Sequence, residues 1–263
     1  MMTGDERMLG KKYLLTGGTS GLGEAILEEL IANGAKVTVI GRNHDKLKKL
    51  VDVYPGQVDV FKADLNIQED LNRFHEWLKG EQPVYDGLIN NAGFGYFKSF
   101  MSHTPEEIHD ILNVNLTQTI LLTHMMLPYL RVNGTIVNIS SQAARVTTPY
   151  SAIYAASKAG LSSFTNALRM EHPSLHVMTV QTGPIATSFF MRADASGTYE
   201  SLTKRLQIDK YKLAGEIVEG IGSKKIEINR PQWMHIGLSI YSLFPRWIEQ
   251  KLEKPFMSKS GLK

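Results

Sequence analysis

The order of strand-like and helix-like segments constrains the fold of this chain more than any other feature of the sequence. Short runs rich in β-branched and aromatic residues alternate with longer amphipathic segments. In chain order, the strand-like segments are KKYLLT, KVTVIG, QVDVFKAD, DGLINNAG, GTIVNIS, LHVMTVQTG and KKIEIN. The helix-like segments between them are 21–33, 43–53, 67–79, a long helix from about Thr104, 150–170 and 213–221. Strands joined by helix-length connections lie parallel, with helices on both faces. The sequence therefore predicts an α/β fold with a doubly wound parallel sheet.

No repeat or low-complexity linker divides the 263 residues, so a single domain is predicted. Residues 1–9 are expected to be frayed, 10–230 to form the sheet domain, and 231–263 to form a helical tail packed on it. The tail is too apolar to stay fully exposed. Packing on the domain is the most ordinary outcome, and a lid over a pocket, a subunit contact or a membrane-surface contact are alternatives. The apolar residues of the tail are Trp233, Met234, Ile236, Leu238, Ile240, Tyr241, Leu243, Phe244, Trp247 and Ile248.

Charge and composition argue against several classes of function. The formal net charge is +3, and the basic residues are interleaved with acidic ones, which argues against nucleic acid as a partner. The chain has no cysteine, which removes disulfides and thiolate chemistry. No apolar run suits a secretory signal or a bilayer span, so a soluble, cytoplasmic protein is predicted. Pro173 lies between His172 and His176, and no further ligand cluster is evident, so no metal site is predicted.

A glycine-rich loop, TGGTSGLG at 16–23, directly follows the first predicted strand and opens the next helix. Glycines let the backbone approach a pyrophosphate closely, and the helix N-terminus offers N–H groups and a positive dipole end. An ordinary glycine turn is the alternative, but the strand, loop and helix context favours phosphate binding. The residues predicted to contact a dinucleotide here are Gly17, Thr19, Ser20, Gly21, Leu22 and Gly23.

The end of the second strand bears on which dinucleotide is bound. An NAD-binding protein would place a carboxylate there, but this chain has Gly41 followed by Arg42. A permanently charged guanidinium matches a 2′-phosphate, so NADP(H) is predicted to be preferred over NAD(H). A solvated surface arginine is the alternative. Asp64 and Leu65 follow the third strand and suit the adenine edge, although Asp64 could equally be the N-cap of the next helix.

Two further motifs are Asn90-Asn91-Ala92-Gly93 and Tyr154-Ala155-Ala156-Ser157-Lys158. Together with the glycine loop and a serine thirteen residues before the tyrosine, they make residues 10–230 resemble the short-chain dehydrogenase/reductase family. The resemblance implies a Rossmann fold, a homodimer or homotetramer, and active-site roles for Asn115, Ser141, Tyr154 and Lys158. Ser140 is the alternative serine. The resemblance also implies cofactor contacts from Asn91, Ala92, Gly93, Tyr154, Lys158, Gly183, Ile185 and Thr187.

One segment departs from the family pattern. Residues 182–187 read Thr-Gly-Pro-Ile-Ala-Thr, with threonine where the family has proline and with proline displaced past the glycine. The departure concerns the geometry of this loop and leaves the chemistry unchanged. By resemblance, the backbone of Ile185 and the side chain of Thr187 would hold the nicotinamide carboxamide.

Tyr154 and Lys158 are four residues apart in a predicted helix, so their side chains share one face. A nearby ammonium favours tyrosinate, which lets a phenol exchange protons near neutral pH. Tyr154 is therefore expected to donate or accept the proton while Ser141 hydrogen-bonds the substrate oxygen. By resemblance, Lys158 would also hold the nicotinamide ribose, and Asn115 would anchor a water beside the lysine.

The substrate side is less specific. Phe94, Tyr96 and Phe97 follow one strand, and the run at 188–191 follows another, so either an apolar pocket or core packing is expected. Residues 188–212 are a candidate lid. The leading hypothesis is an NADP(H)-dependent oxidoreductase that interconverts a carbonyl and a secondary alcohol, with a lipophilic or otherwise unidentified substrate. A dinucleotide sensor without turnover and a scaffold that works through its tail are the alternatives.

Overall fold

The computed structural model describes residues 8–146, 148–187, 189, 193 and 206–258, with side chains through Lys251. Its centre is a seven-stranded parallel sheet in the order β3-β2-β1-β4-β5-β6-β7. This arrangement confirms the predicted doubly wound sheet. The strands are β1 (Lys12–Thr16), β2 (Lys36–Gly41), β3 (Val58–Lys62), β4 (Tyr85–Asn90), β5 (Leu130–Ser141), β6 (His176–Thr182) and β7 (Glu227–Arg230).

Helices cover both faces of the sheet because neighbouring strand residues point in opposite directions. In β1, Leu15 packs into one buried cluster with α1 and α7, and Leu14 packs into the other with α3, α5 and α6. The helices of the described residues are α1 (Gly21–Ala32), α2 (His44–Val53), α3 (Gln68–Glu81), α4 (Pro105–Leu112), α5 (Gln118–Met126), α6 (Ala152–Glu171), α7 (Lys210–Gly222), α8 (Gln232–Tyr241) and α9 (Pro245–Ser258).

The long helix predicted from Thr104 is interrupted. Thr104 caps α4 in a reciprocal capping box with Glu107, and α4 ends at Leu112. A π-helical turn, Asn113–Thr117, separates it from α5. A π turn holds an extra residue and redirects the side chains around it. Here the turn contains Asn115, which is fully buried.

Met8, at the start of the described chain, and helix α8 of the tail both pack on the sheet domain. Met8 is only 1% exposed, and its sulfur accepts a hydrogen bond of 3.1 Å from the Tyr13 hydroxyl, although it lies within the segment predicted to be frayed. Residues 1–7 lie outside the described part of the chain. The tail is helical as predicted, and α8 buries Leu238 and Tyr241. No helix among the described residues is both long and apolar enough to cross a membrane.

Candidate active site

A cavity of about 760 Å³ lies at the carboxyl ends of the strands. Its walls come from the segments that follow β1, β2, β3, β4, β5 and β6, on both sides of the point where the strand order reverses between β1 and β4. Of the predicted site residues, Asn115 alone does not line it. Those that do are Gly17, Thr19, Ser20, Gly21, Leu22, Gly23, Arg42, Asp64, Leu65, Asn91, Ala92, Gly93, Ser141, Tyr154, Lys158, Gly183, Ile185 and Thr187.

The glycine loop is held against the loop after β4. The Thr16 hydroxyl accepts hydrogen bonds of 3.0 Å from the backbone N–H groups of Asn91 and Ala92, and the Asn91 side chain donates to the Thr16 carbonyl. Gly17 has a φ of +70°, and a Cβ atom on Gly23 would lie 2.2 Å from the Gly17 oxygen. Positions 17 and 23 therefore exclude a side chain, which keeps the backbone of the loop close to the start of α1.

The beginning of α1 fits a phosphate group. Its N-cap, Ser20, makes no side-chain capping hydrogen bond, so that cap leaves the first-turn N–H groups without a side-chain acceptor. Glu24 lies in this turn, but its carboxylate pairs with Lys210 at 3.3 Å. Both the close backbone approach and the uncapped helix end are suited to a dinucleotide pyrophosphate.

Arg42 lies at the rim of the cavity, with its side chain 71% exposed and its Nη1 atom 3.5 Å from an Asp64 carboxylate oxygen. Asp64 is not the N-cap of α3, because that position belongs to Ile67. Instead, its carboxylate accepts the Asn66 backbone N–H at 2.9 Å, and its own N–H donates to Asp70. Asp64 and Leu65 thus line the cavity beside the exposed guanidinium.

Tyr154 and Lys158 lie one turn apart near the start of α6, and both line the cavity. The Lys158 Nζ atom is 5.9 Å from the centre of the Tyr154 ring and donates a hydrogen bond of 2.9 Å to the Ile139 carbonyl. Lys158 is 4% exposed, so Tyr154 and Lys158 are not a solvated pair on the helix surface. Burial lowers the pKa of Lys158 to about 8.

The two adjacent serines at the end of β5 have different partners. The Ser140 hydroxyl bonds the Lys158 carbonyl at 3.0 Å and the Ser162 hydroxyl at 2.8 Å, which ties β5 to α6. The Ser141 hydroxyl donates to the Thr182 carbonyl at 3.2 Å and accepts the Ala143 N–H. Both serines line the cavity.

Asn115 contacts the site indirectly. Its side-chain oxygen accepts the Phe94 N–H at 2.9 Å, and its side-chain nitrogen donates to the Phe94 carbonyl at 2.8 Å and to Ser157. A Cβ atom on Gly93 would lie 3.1 Å from the Asn115 oxygen and 3.2 Å from the Lys158 ammonium. Asn115 therefore fixes the loop after β4 close to the lysine.

The glycine of the Thr182-Gly183-Pro184 segment has a structural reason. The Gly183 N–H donates to the Arg230 carbonyl at 2.6 Å, and a Cβ atom on Gly183 would lie 2.9 Å from the Pro231 ring. Close packing against the start of the tail thus requires glycine here. Further along, Ile185 pairs with Ile208 in a parallel bridge, and the Thr187 hydroxyl accepts the Phe189 N–H.

Aromatic side chains surround the Tyr154 ring. The rings of Phe97 and Phe189 lie 5.7 and 5.8 Å from it, and Phe94 and Tyr96 also line the cavity. Of the remaining predicted pocket residues, Ser188, Phe190 and Met191 lie outside the described part of the chain, as does most of the predicted lid. The aromatic run predicted after β4 thus forms part of the cavity wall.

The tail supplies a wall residue that sequence reasoning did not single out. Met234 of α8 lines the cavity. The helix is tied to the turn after β5, because Gln142 donates to the Pro231 carbonyl at 3.2 Å and Arg145 contacts His235 at 2.6 Å. The apolar character of the tail was the available signal, but it does not indicate which residue points inward.

Known proteins with a similar sequence or fold agree with this geometry. Residues 11–197 match the family model described as short chain dehydrogenase. An Arabidopsis thaliana protein named 11-beta-hydroxysteroid dehydrogenase-like 4A is 29% identical over 256 residues, or 94% of this chain and 85% of the relative. The human protein named inactive hydroxysteroid dehydrogenase-like protein 1 is 31% identical over 199 residues, or 72% of this chain and 60% of the relative.

Solved structures show the same architecture. A short-chain dehydrogenase from Streptomyces avermitilis superposes with a TM-score of 0.79 at 25% identity, covering 93% of this chain and 96% of the other. A short chain dehydrogenase from Burkholderia cenocepacia, solved in complex with NADP, has a TM-score of 0.76 at 24% identity and covers 85% and 97%. The family match covers well over half of the residues and includes the cavity walls after β1 to β6, and the chain is therefore a member of the short-chain dehydrogenase family.

Proposed function

We propose that this protein is an NADP(H)-dependent oxidoreductase that interconverts a carbonyl and a secondary alcohol, with Tyr154 as the general acid and base. One observation carries the proposal, namely the buried Lys158 ammonium 5.9 Å from the Tyr154 ring on the wall of the large cavity. A positive charge beside a phenol favours the tyrosinate form. The same residue can then donate a proton in reduction and accept one in oxidation.

When bound, the nicotinamide dinucleotide supplies the hydride in reduction and accepts it in oxidation. In reduction, Tyr154 donates its hydroxyl proton to the carbonyl oxygen. Ser141 hydrogen-bonds the same oxygen as negative charge develops on it. For this, its hydroxyl must turn from the Thr182 carbonyl toward the substrate. Lys158 stabilises the resulting tyrosinate and would also hold the nicotinamide ribose of the bound cofactor.

Different segments of the cavity wall would bind different parts of the cofactor. The glycine loop and the start of α1 would hold the pyrophosphate, Asp64 and Leu65 the adenine, and Ile185 and Thr187 the carboxamide. Arg42 is exposed at the rim, so its guanidinium can leave Asp64 for a 2′-phosphate at little cost. Glutamate or aspartate is absent at positions 41 and 42, which supports NADP(H) over NAD(H).

The substrate in this proposal is an apolar carbonyl compound or alcohol. Phe94, Tyr96, Phe97 and Phe189 line the cavity or pack around Tyr154, and Met234 closes one wall. Such a surface binds hydrocarbon and leaves the Tyr154 and Ser141 hydroxyls as the polar groups that orient a C–O unit. Several relatives are named hydroxysteroid dehydrogenase-like, which is consistent with an apolar ligand.

The test is NADPH absorbance with a panel of apolar ketones and aldehydes, comparing the unmodified enzyme with Tyr154→Phe. We expect Tyr154→Phe to lower turnover at least about 100-fold and to leave NADPH affinity unchanged. Tyr211→Phe is the matched control, because Tyr211 is exposed on α7 outside the cavity walls. Equal turnover of the Tyr154→Phe variant and the unmodified enzyme would contradict the role of Tyr154.

A dinucleotide sensor without turnover is the second candidate, and the relative named as inactive is the observation that favours it. It predicts calorimetric binding of NADPH with no oxidation of NADPH by any member of the panel.

Location in the cytoplasm and assembly into a homodimer or homotetramer are also part of our proposal. Sedimentation velocity of the purified protein tests the assembly.

A further inference from the structure

Six large apolar side chains of the tail are exposed on α8, on α9 and in the turn between them, and we call this set the tail face. Its members are Trp233, Ile236, Ile240, Leu243, Phe244 and Trp247. Large apolar side chains that are adjacent and exposed mark contact sites, whereas scattered ones are ordinary. We propose that the tail face docks on the surface of an anionic lipid bilayer.

The orientation of α8 is fixed by its contacts with the domain. Leu238 and Tyr241 are buried, and Met234 on the same side lines the cavity. On the polar side, Arg145 contacts His235 at 2.6 Å and donates to Ser239 at 3.2 Å. The third side of the helix is formed by Trp233, Ile236 and Ile240, at helical spacings of three and four, so it faces outward.

The tail also carries the positive charge of the protein. Residues 231–263 contain five lysines and arginines and two glutamates, a net charge of +3, which equals the formal net charge of the whole chain. Residues 1–230 are therefore neutral in sum. Tryptophan and phenylalanine settle at the interface between head groups and acyl chains, and nearby basic residues are attracted to anionic head groups. Exposed aromatics and charge together match an anionic bilayer surface.

A second copy of the chain fits this face less well. A twofold dimer brings the same patch of both copies together, so it would pair two tail segments that each have a positive net charge. Lysine is also depleted in protein interfaces relative to other surfaces. Charge thus opposes self-association through the tail face and favours lipid.

Vesicle sedimentation tests the proposal with full-length protein. The vesicles contain equal parts of phosphatidylcholine and phosphatidylglycerol, or phosphatidylcholine alone. We expect Phe244→Gln/Trp247→Gln to lower the partition coefficient on anionic vesicles at least about tenfold. The control Met101→Gln/Met170→Gln removes two exposed apolar side chains outside the tail and should bind like the unmodified protein. Binding to phosphatidylcholine alone should be weaker, and salt should reduce binding to the anionic vesicles.

Tryptophan fluorescence gives an independent readout. Two of the three tryptophans, Trp233 and Trp247, are in the tail face and are 59% and 64% exposed, whereas Trp77 is half-buried and stacks on Phe74. Anionic vesicles should shift the emission of the unmodified protein to shorter wavelength.

Absence of vesicle binding, or equal binding by Phe244→Gln/Trp247→Gln, would overturn the proposal. So would conversion of a dimer to a monomer by this double substitution, which would assign the face to a subunit contact. No readout requires turnover, so failure here is distinct from failure of the proposed enzymatic function.

Discussion

The Lys158 ammonium donates a hydrogen bond of 2.9 Å to the Ile139 carbonyl, which places a charged group between β5 and the Tyr154 ring. The lysine is almost completely buried, and burial lowers its pKa to about 8. Keeping a charged group at such a buried position costs folding free energy, and one hydrogen bond to a carbonyl offsets that cost only in part. The free energy of unfolding should therefore depend on the protonation state of Lys158.

Lys158→Met should be more stable than the unmodified protein near pH 7, by up to about 3 kcal/mol, because the unfolded chain holds its lysine proton more tightly than the folded one. Between about pH 8 and 10.5 the unfolded state binds more protons, so the stability of the unmodified protein relative to the variant rises with pH. Below pH 8 both states are protonated, and the difference is constant. Urea unfolding of both proteins across this range measures it, and a difference that does not change with pH would contradict the burial of charge.

Arg42→Ala should weaken NADPH binding by about 1.5–3 kcal/mol and leave NADH binding nearly unchanged, because only NADPH carries the 2′-phosphate. Calorimetric titration with each dinucleotide measures the two affinities. Arg131→Ala is the control, since Arg131 is also exposed and paired with an aspartate, Asp86, but does not line the cavity. Equal affinity of the unmodified protein for both dinucleotides would overturn the assignment.

Gly23→Ala should destabilise the protein by about 2–3 kcal/mol and weaken binding of either dinucleotide, because the new methyl group would overlap the Gly17 carbonyl. Gly215→Ala provides the contrast within another helix. No atom outside its own helix lies within 4 Å of a Cβ placed there, so this substitution should stabilise the protein by about 0.5–1 kcal/mol. Thermal unfolding with and without NADPH compares the two. A stable, NADPH-binding Gly23→Ala variant is the result that would refute the close approach.

Asn115→Ala should cost about 1–3 kcal/mol of stability, because it leaves the Phe94 N–H and carbonyl without their partner. Asn72→Ala, an exposed amide on α3, should stay within about 0.5 kcal/mol. If Asn115 positions the loop beside Lys158, its replacement should also change the pH dependence of turnover. A profile identical to that of the unmodified enzyme would leave only a structural role.

The sheet and most of the cavity follow from local sequence patterns. The glycine loop and Tyr154-x-x-x-Lys158 each depend on one strand end or one helix, and the parallel order then brings them together. Hydrophobic periodicity, by contrast, runs on through 104–126 and gives no sign of the π turn that contains Asn115. The burial of Met8 depends on the Tyr13 hydroxyl and on packing in the core cluster around β1 and α1, which hydrophobic periodicity does not reveal.

The contacts that tie α8 to the turn after β5 make this helix a structural part of the domain that contains the cavity. Gln142 and Arg145 begin and end the turn that follows Ser141, and they contact Pro231 and His235. A chain shortened to Arg230 would lose Met234 from the cavity wall. Gln142 and Arg145 would also lose their contacts with Pro231 and His235. Residue 230, where the composition of the sequence changes, is thus a poor end point for a shortened variant, and any engineered form of this protein should keep α8 as part of the cavity wall.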